Sequence, residues 1–161
     1  MTTEIDPARE FFRHTLATLA YRGGKTLRDT DNDFATFRAG EQTRTPLEIL
    51  AHIGDLFEWA LSIAKGAEAW QGAKPGDWEQ QVERFFRSLQ ELDQFFASAE
   101  PLACSPLQLF QAPIADALTH VGQLAMLRGL AGIPIRGENY FKADIVTGRV
   151  GAEQSAPQYE F

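Results

Sequence analysis

One long segment of the chain carries a single formally charged side chain. Between Glu100 and Arg128 that residue is Asp116, in a stretch otherwise rich in Leu, Ala, Ile and Phe. His120 follows Asp116 by four residues, so a helix places the carboxylate and the imidazole on the same face. Gln123, three residues further on, joins them. Because burial of such groups in an apolar stripe costs free energy, the fold must supply polar partners or a metal ion.

Capping residues mark the starts of four predicted helices. Each start has a side chain that can accept a hydrogen bond from the first turn, and most have Pro at the first helical position. The starts are Asp6-Pro7, Thr45-Pro46, Asp77 and Ser105-Pro106. Residues 71–76 between the second and third helices read as a loop. With no alternating strand pattern, this predicts an all-α four-helix bundle with a long first connection.

Glycine and proline predict where these helices end or bend. Tyr21-Arg22-Gly23-Gly24 is expected to interrupt or end the first helix, and Gly66 to follow the second. Pro113 should kink or split the fourth helix, because its ring displaces the carbonyl four residues back. The long first connection is predicted as a loop that can hold one extra helical turn, with Phe34 and Phe37 as anchors.

The C-terminal residues 134–161 lose the helical period and gain glycines. They are expected to form an irregular but ordered tail packed on the bundle, with anchors at Tyr140, Phe141, Ile145 and Val146. At 161 residues the chain fits one domain. The predicted domain therefore spans residues 1–161, with a helical core at about 7–132 and the tail at 133–161.

Composition excludes several classes of function. The net charge of -7 argues against a nucleic-acid or anionic-membrane surface. Cys104 is the one cysteine, which excludes an internal disulfide and a cysteine-rich zinc site and fits a reducing compartment. The first residues lack a signal-peptide pattern, and no apolar run approaches the roughly 20 residues of a membrane span. A cytoplasmic protein is expected.

Histidine is scarce, so any histidine ligand of a metal must be His14, His52 or His120. His52, in the middle of the second predicted helix, is the natural third ligand beside Asp116 and His120. Two imidazoles and one carboxylate with open positions suit Zn(II), Ni(II), Fe(II) or Mn(II). In the alternative, Asp116 and His120 form a buried hydrogen bond and His52 is an ordinary boundary histidine. The absence of other charge along that helix favours the metal.

Several further residues are weaker candidates. Gln123 can orient a ligand, bind substrate or form a polar contact between helices. Asp55 shares a face with His52, so it can either fix the imidazole tautomer or be a solvated surface acid. Glu58 is expected to be solvated and His14 to lie at the surface.

Two other groups of side chains are candidates for chemistry. Cys104 precedes a helix start, where the dipole can lower a thiol pKa, but a structural role is preferred. The tail residues Asn139, Tyr140 and Arg149 are candidates for positioning a substrate.

Two helices resemble a known family. Residues 50–59 match the "LxHxxDxxxW" helix of the DinB/YfiT-like superfamily of metal-dependent four-helix-bundle enzymes. Residues 117–124 resemble its "HxxxHxGQ" segment, whose first histidine is replaced here by Asp116. The resemblance covers about residues 7–132 and implies an up-down-down-up bundle. It also implies that His52 and His120 correspond to two of three metal histidines, with Asp116 in the third position.

What this resemblance implies for activity is broad. Some relatives resemble S-transferases that use low-molecular-weight bacterial thiols, others resemble mycothiol-dependent isomerases, and family members are often homodimers. An Asp in place of His adds negative charge, which favours a harder metal or weaker nickel binding. The leading hypothesis is a divalent metal that activates water or a thiol, in a hydrolase or thiol S-transferase. The alternative is a non-catalytic dimeric bundle that acts as a ligand-binding or stress-related interaction protein.

Overall fold

The computed structural model of the protein describes residues 6–72 and 75–161, and its regular structure is helical. The elements are α1 (Pro7–Leu27), α2 (Asn32–Ala35), α3 (Pro46–Ala64), α4 (Trp78–Ala97), α5 (Pro106–Leu109), a π-helical segment (Phe110–Ile114) and α6 (Ala115–Leu130). Within the described ranges there is no strand, only an isolated bridge between Glu138 and Glu160. The predicted all-α class is confirmed.

The predicted helix starts are confirmed by their capping hydrogen bonds. The Asp6 carboxylate accepts from the Ala8 amide at the start of α1. At α3, Thr45 and Glu48 each accept a hydrogen bond from the other's backbone amide, which forms a capping box. Asp77 and Gln80 form the same arrangement at α4, whereas Ser105 makes no side-chain cap. Of the predicted loop at 71–76, residues 73 and 74 lie outside the described ranges, as do residues 1–5.

The four long helices pack in a ring in which α1 and α3 each contact both α4 and α6. Phe12, early in α1, stacks on Phe96 near the end of α4, with ring centroids 4.9 Å apart. Arg128, near the end of α6, donates to the carbonyl of Thr26 near the end of α1. Helix α1 therefore runs antiparallel to α4 and parallel to α6.

Contacts between α3 and α6 fix the remaining direction. Ile49, early in α3, and Leu127, late in α6, line one cavity, whereas Leu56 shares another cavity with Ala112. Helix α3 is therefore antiparallel to α6. As a result, α1 and α6 run in one direction and α3 and α4 run in the other. This arrangement brings the middle of α3 face to face with the first half of α6.

The glycine pair in α1 does not end the helix, contrary to the sequence expectation. Helix α1 continues through Gly23 and Gly24 to Leu27. A Cβ atom on Gly23 would lie 2.5 Å from the ring of Phe85 in α4. Glycine is therefore required for the close approach of two helices rather than for a break. The extra turn in the first connection is confirmed as α2, with Phe34 buried and Phe37 partly buried.

The fourth predicted helix is split at its proline, as expected. Pro113 lies in the π-helical segment between α5 and α6. Because proline has no amide hydrogen, it donates no backbone hydrogen bond there. Gly66, after α3, adopts a positive φ of 76°, which confirms it as the residue that follows the helix end. None of the described helices is long and apolar enough to cross a lipid bilayer.

The C-terminal tail packs on α1 through polar groups, and two of its predicted anchors are wrong. Phe141 is 98% exposed and Val146 is also exposed, whereas Val150 is buried. Glu138, which has a fully buried side chain, accepts from the Tyr21 hydroxyl at 2.5 Å and pairs with Lys25 at 2.8 Å. This buried cluster holds the tail together with Tyr140, a predicted anchor whose ring packs edge to face on Tyr21.

Candidate metal centre

Three side chains from α3 and α6 meet at one point, as the sequence predicts. His52 lies on α3, and Asp116 and His120 lie one turn apart on α6. The Nε2 atoms of His52 and His120 lie 3.5 Å and 3.4 Å from the two carboxylate oxygens of Asp116. One ligand atom from each residue lies within 4.8 Å of the others, so this group can hold a metal ion. We call it the His-Asp-His cluster.

The spacing within the His-Asp-His cluster is compatible with a shared cation, although its two contacts end on different oxygens of Asp116. Two ligands at about 2.1 Å from a tetrahedral metal lie about 3.4 Å apart. Hydrogen bonds between nitrogen and oxygen are shorter, at about 2.7–3.2 Å. The two contacts of Asp116 thus match the metal arrangement. The expected alternative, a direct Asp116–His120 hydrogen bond, is not what the structure contains.

Asp116 occupies the open side of the cluster. Its side chain is 47% exposed, whereas that of His120 is only 11% exposed. Gln123 is exposed as well, so the sequence expectation that Asp116, His120 and Gln123 are all buried holds only for His120. Because α6 turns this edge toward solvent, hydration supports the Asp116 charge without a metal, and a small molecule can approach from this side.

Gln123 orients the imidazole of His120. Its side-chain oxygen lies 2.7 Å from Nδ1 of His120, one turn away on α6. An amide oxygen can only accept, so this contact puts the proton on Nδ1 and leaves the lone pair of Nε2 directed at the cluster. The orienting role that the sequence suggested for Gln123 is the one its geometry supports.

His52 lies in partly buried, aromatic surroundings. Its ring packs edge to face on His120, with centroids 4.8 Å apart, and near Trp70 at 5.8 Å. Burial lowers the pKa of His52 below its usual value, and the charges of His120 and Arg44 act in the same direction while Asp116 opposes them. The neutral imidazole is therefore favoured, and this is the form that binds metals.

Asp55 is not the solvated surface acid that was one of the two expectations for it. It is buried, and its carboxylate accepts a hydrogen bond from Arg84 of α4 at 2.6 Å. Arg84 also pairs with Glu58 at 2.7 Å and donates to the carbonyl of Ala51. The hydrogen bonds to Glu58 and Asp55 raise the pKa of Arg84 despite its burial, so its charge is fixed.

The tail residues predicted to position substrate lie away from the cluster. Tyr140 packs on Arg22 and Tyr21 of α1. Arg149 contacts Asp144 and Ser155 within the tail, and Asn139 bonds the backbone amide of Phe141. The tail approaches the side of α6 that carries Val121 and Ala125, roughly opposite His120. The structure therefore gives Asn139, Tyr140 and Arg149 no contact with the cluster.

Two further expectations concern residues outside the cluster. His14 is exposed and its Nδ1 lies 3.0 Å from the hydroxyl of Thr147, as expected for a surface histidine. Cys104 is partly buried, and this burial raises its pKa, which is opposite to the activation that a helix dipole would give.

Two cavities flank the cluster on different sides. One, of about 340 Å³, is lined by residues from α3, the π-helical segment and α6, including Trp59, Gln111 and Asp116. The other, of about 590 Å³, is bordered by His120 and Gln123. A π-helical turn beside such a site is typical of functional regions, because it displaces side chains from the regular helical register.

Sequence reasoning missed Arg84 and Arg44. Arg84 of α4 donates a hydrogen bond to the carbonyl of Ala51, the residue before His52. Its guanidinium also lies so close to Gly54 that a Cβ atom on that residue would be 2.8 Å from Nη1. A glycine in the middle of an apolar helix was the available signal for such a close approach. Arg44, at the mouth of the larger cavity, has no local sequence signature.

Comparison with family models, with curated proteins and with solved structures finds no match for this chain. The resemblance to the DinB/YfiT-like superfamily therefore rests on the two helical motifs.

Proposed function

We propose that this protein is a metal-dependent enzyme with a DinB-like four-helix bundle, in which His52, Asp116 and His120 hold one divalent metal ion. The observation that carries the proposal is the convergence of three ligand atoms within 4.8 Å, from two helices that are far apart in sequence. The opposed directions of the helix pairs and the two sequence motifs support the family. The donor set suits Zn(II), Ni(II), Fe(II) or Mn(II).

The chemistry of the site follows from its donors and surroundings. A bound divalent metal would act as a Lewis acid and lower the pKa of water or of a low-molecular-weight thiol, as in a hydrolase or a thiol S-transferase. Gln123 fixes the tautomer of His120, and Trp70 covers one side of His52. Asp116 leaves an open side for a small-molecule substrate. A cytoplasmic homodimer is part of the same proposal.

Elemental analysis tests the metal directly. Protein purified without a chelating column is expected to contain close to one divalent metal per chain, and a His52→Ala/His120→Ala variant is expected to contain almost none. Less than one metal per several chains, at the same level in the variant, would refute the metal centre.

Thermal unfolding with and without added metal separates the enzyme from a non-catalytic, ligand-binding bundle. Metal at a hundred times its Kd should stabilise the wild type by about 2.7 kcal/mol. Asp116→Asn should lose most of this stabilisation. Glu91→Gln removes the same charge from an exposed position on α4 and should retain it. Equal destabilisation of Asp116→Asn in both conditions would favour the non-catalytic bundle.

A further inference from the structure

The larger cavity beside the His-Asp-His cluster has the properties of a small-molecule site. Its volume of about 590 Å³ lies in the usual range for bound ligands. His120 and Gln123 form one part of its wall, so a molecule in this cavity would lie against the proposed metal centre. Most of the remaining wall is apolar and consists of Ile49, Met126, Leu127 and Leu130.

The apolar wall continues along α6 from the cluster toward the end of the helix. Met126 is 70% exposed and Leu130 is also exposed, and both line the same cavity as His120. Two such side chains on one cavity wall keep apolar surface in contact with water. A ligand with an apolar body would remove that surface from water, which contributes about 25 cal/mol for each Å² covered.

Arg44 supplies one positive charge at the wall of this cavity. Within the part of the chain that the structure describes, its guanidinium makes no hydrogen bond or ion pair. Arg38, on the same connection, differs because it donates to the carbonyl of Thr43 and lies 3.8 Å from Glu48. The charge of Arg44 acts on the nearby carboxylate of Glu48 without forming an ion pair with it. In a chain with a net charge of -7, such an arginine at an apolar cavity matches an anionic ligand.

We infer that this cavity binds an amphiphilic anion. Its carboxylate, sulfonate or phosphate group pairs with Arg44, and its apolar body covers Met126 and Leu130. The molecule lies against His120, beside the proposed metal site. The inference rests on the proposed function only in making this ligand the substrate, since the binding site itself is formed without the metal.

Isothermal titration calorimetry with octanoate tests the site. Octanoate is expected to bind the metal-free wild-type protein, 1-octanol to bind about tenfold more weakly, and octylammonium not to bind measurably. Arg44→Gln should weaken octanoate about tenfold and leave 1-octanol unchanged. The control Arg87→Gln, at an exposed position on α4, should bind octanoate like the wild type. Equal affinity of the wild type and Arg44→Gln for octanoate would overturn the inference.

Repeating the titration with zinc-loaded protein separates this inference from the proposed function. Octanoate binding that depends on Arg44 in both forms supports the inference, even if zinc itself fails to bind. If octanoate binds only to the zinc-loaded protein, and with the same affinity in the wild type and Arg44→Gln, then the carboxylate of octanoate binds the metal. That result overturns the inference and leaves the metal centre intact.

A second copy of the chain is the competing occupant of the apolar wall. Met126→Glu is expected to abolish octanoate binding without changing the oligomeric state measured by sedimentation velocity. If octanoate does not bind the wild type and Met126→Glu converts a dimer to a monomer, the wall is a subunit contact and the inference fails.

Discussion

Replacing Arg84 by Met is expected to be among the most destabilising single changes in this protein. The Arg84 guanidinium is buried between α3 and α4 and donates to Asp55, Glu58 and the Ala51 carbonyl. Methionine fills part of the same volume but provides no donor. The carboxylate of Asp55, which is 7% exposed, then loses its cation in a region that water does not reach.

The expected size follows from the difference between the two carboxylates. Removing one partner of a buried ion pair costs about 3–5 kcal/mol. Glu58 is 42% exposed and stays hydrated, so its pairing with Arg84 contributes at most about 1 kcal/mol. Most of the loss therefore belongs to Asp55. For a chain of 161 residues it corresponds to a fall in Tm of about 6–20 °C.

Urea and thermal unfolding of four variants check this reasoning. Arg84→Met and Asp55→Asn should each be strongly destabilised, and Glu58→Gln should stay within about 1 kcal/mol of the wild type. The double variant Arg84→Met/Asp55→Asn should be more stable than the sum of the two losses predicts, because no uncompensated charge remains. If Arg84→Met were within 1 kcal/mol of the wild type, or Glu58→Gln as damaging as Asp55→Asn, the explanation would be wrong.

Four other variants test the site and the packing. Gln123→Leu should weaken metal binding about 10–100-fold in a chelator competition assay while stability stays unchanged, and an unaltered affinity would contradict the orienting role. Gly23→Ala should cost about 1–3 kcal/mol because of Phe85, whereas Gly129→Ala, which has open space around it, should stabilise α6. Burial lowers the pKa of Lys25, but its hydrogen bonds to Glu138 and Glu160 outweigh this and raise it above 10.5. The charge of Lys25 therefore stabilises the folded state fully below about pH 10.5, and this stabilisation is lost as the pH rises through the raised pKa. The difference in Tm between the wild type and Lys25→Met should consequently narrow at alkaline pH. A difference that widens there would contradict this explanation.

The features that were predicted correctly depend on residues close in sequence. Thr45 and Glu48 cap α3 through mutual hydrogen bonds three residues apart, and Pro113 disrupts its own helix. Local chemistry alone determines both. The pairing of Asp116 with His120 across one turn is of the same kind, since α-helical geometry brings residues four apart together wherever the helix forms.

The features that were missed depend on distant partners. Gly23 predicts a helix end when only its sequence neighbours are considered. In the structure, a glycine is needed there because the ring of Phe85, in another helix, leaves no room for a Cβ atom. Hydrophobicity predicted Phe141 as a tail anchor, yet the buried Glu138 holds the tail because Tyr21 and Lys25 happen to face it. Pairings of this kind depend on how helices are arranged, which apolar periodicity does not specify.

The charge of the site connects Asp116 with Arg44. A divalent ion on two neutral imidazoles and one carboxylate leaves a net charge of +1, one unit less than three imidazoles would leave. With Asp116 as a ligand, the proposed centre would therefore attract an anion less strongly than a centre of three histidines. Arg44 provides a positive charge at the adjoining cavity, which has no carboxylate among its described lining residues. The proposed function and the inferred ligand site would thereby separate recognition of an anion from the metal ligands: a bound metal would activate a reacting group while the guanidinium of Arg44 held the charged end of the molecule.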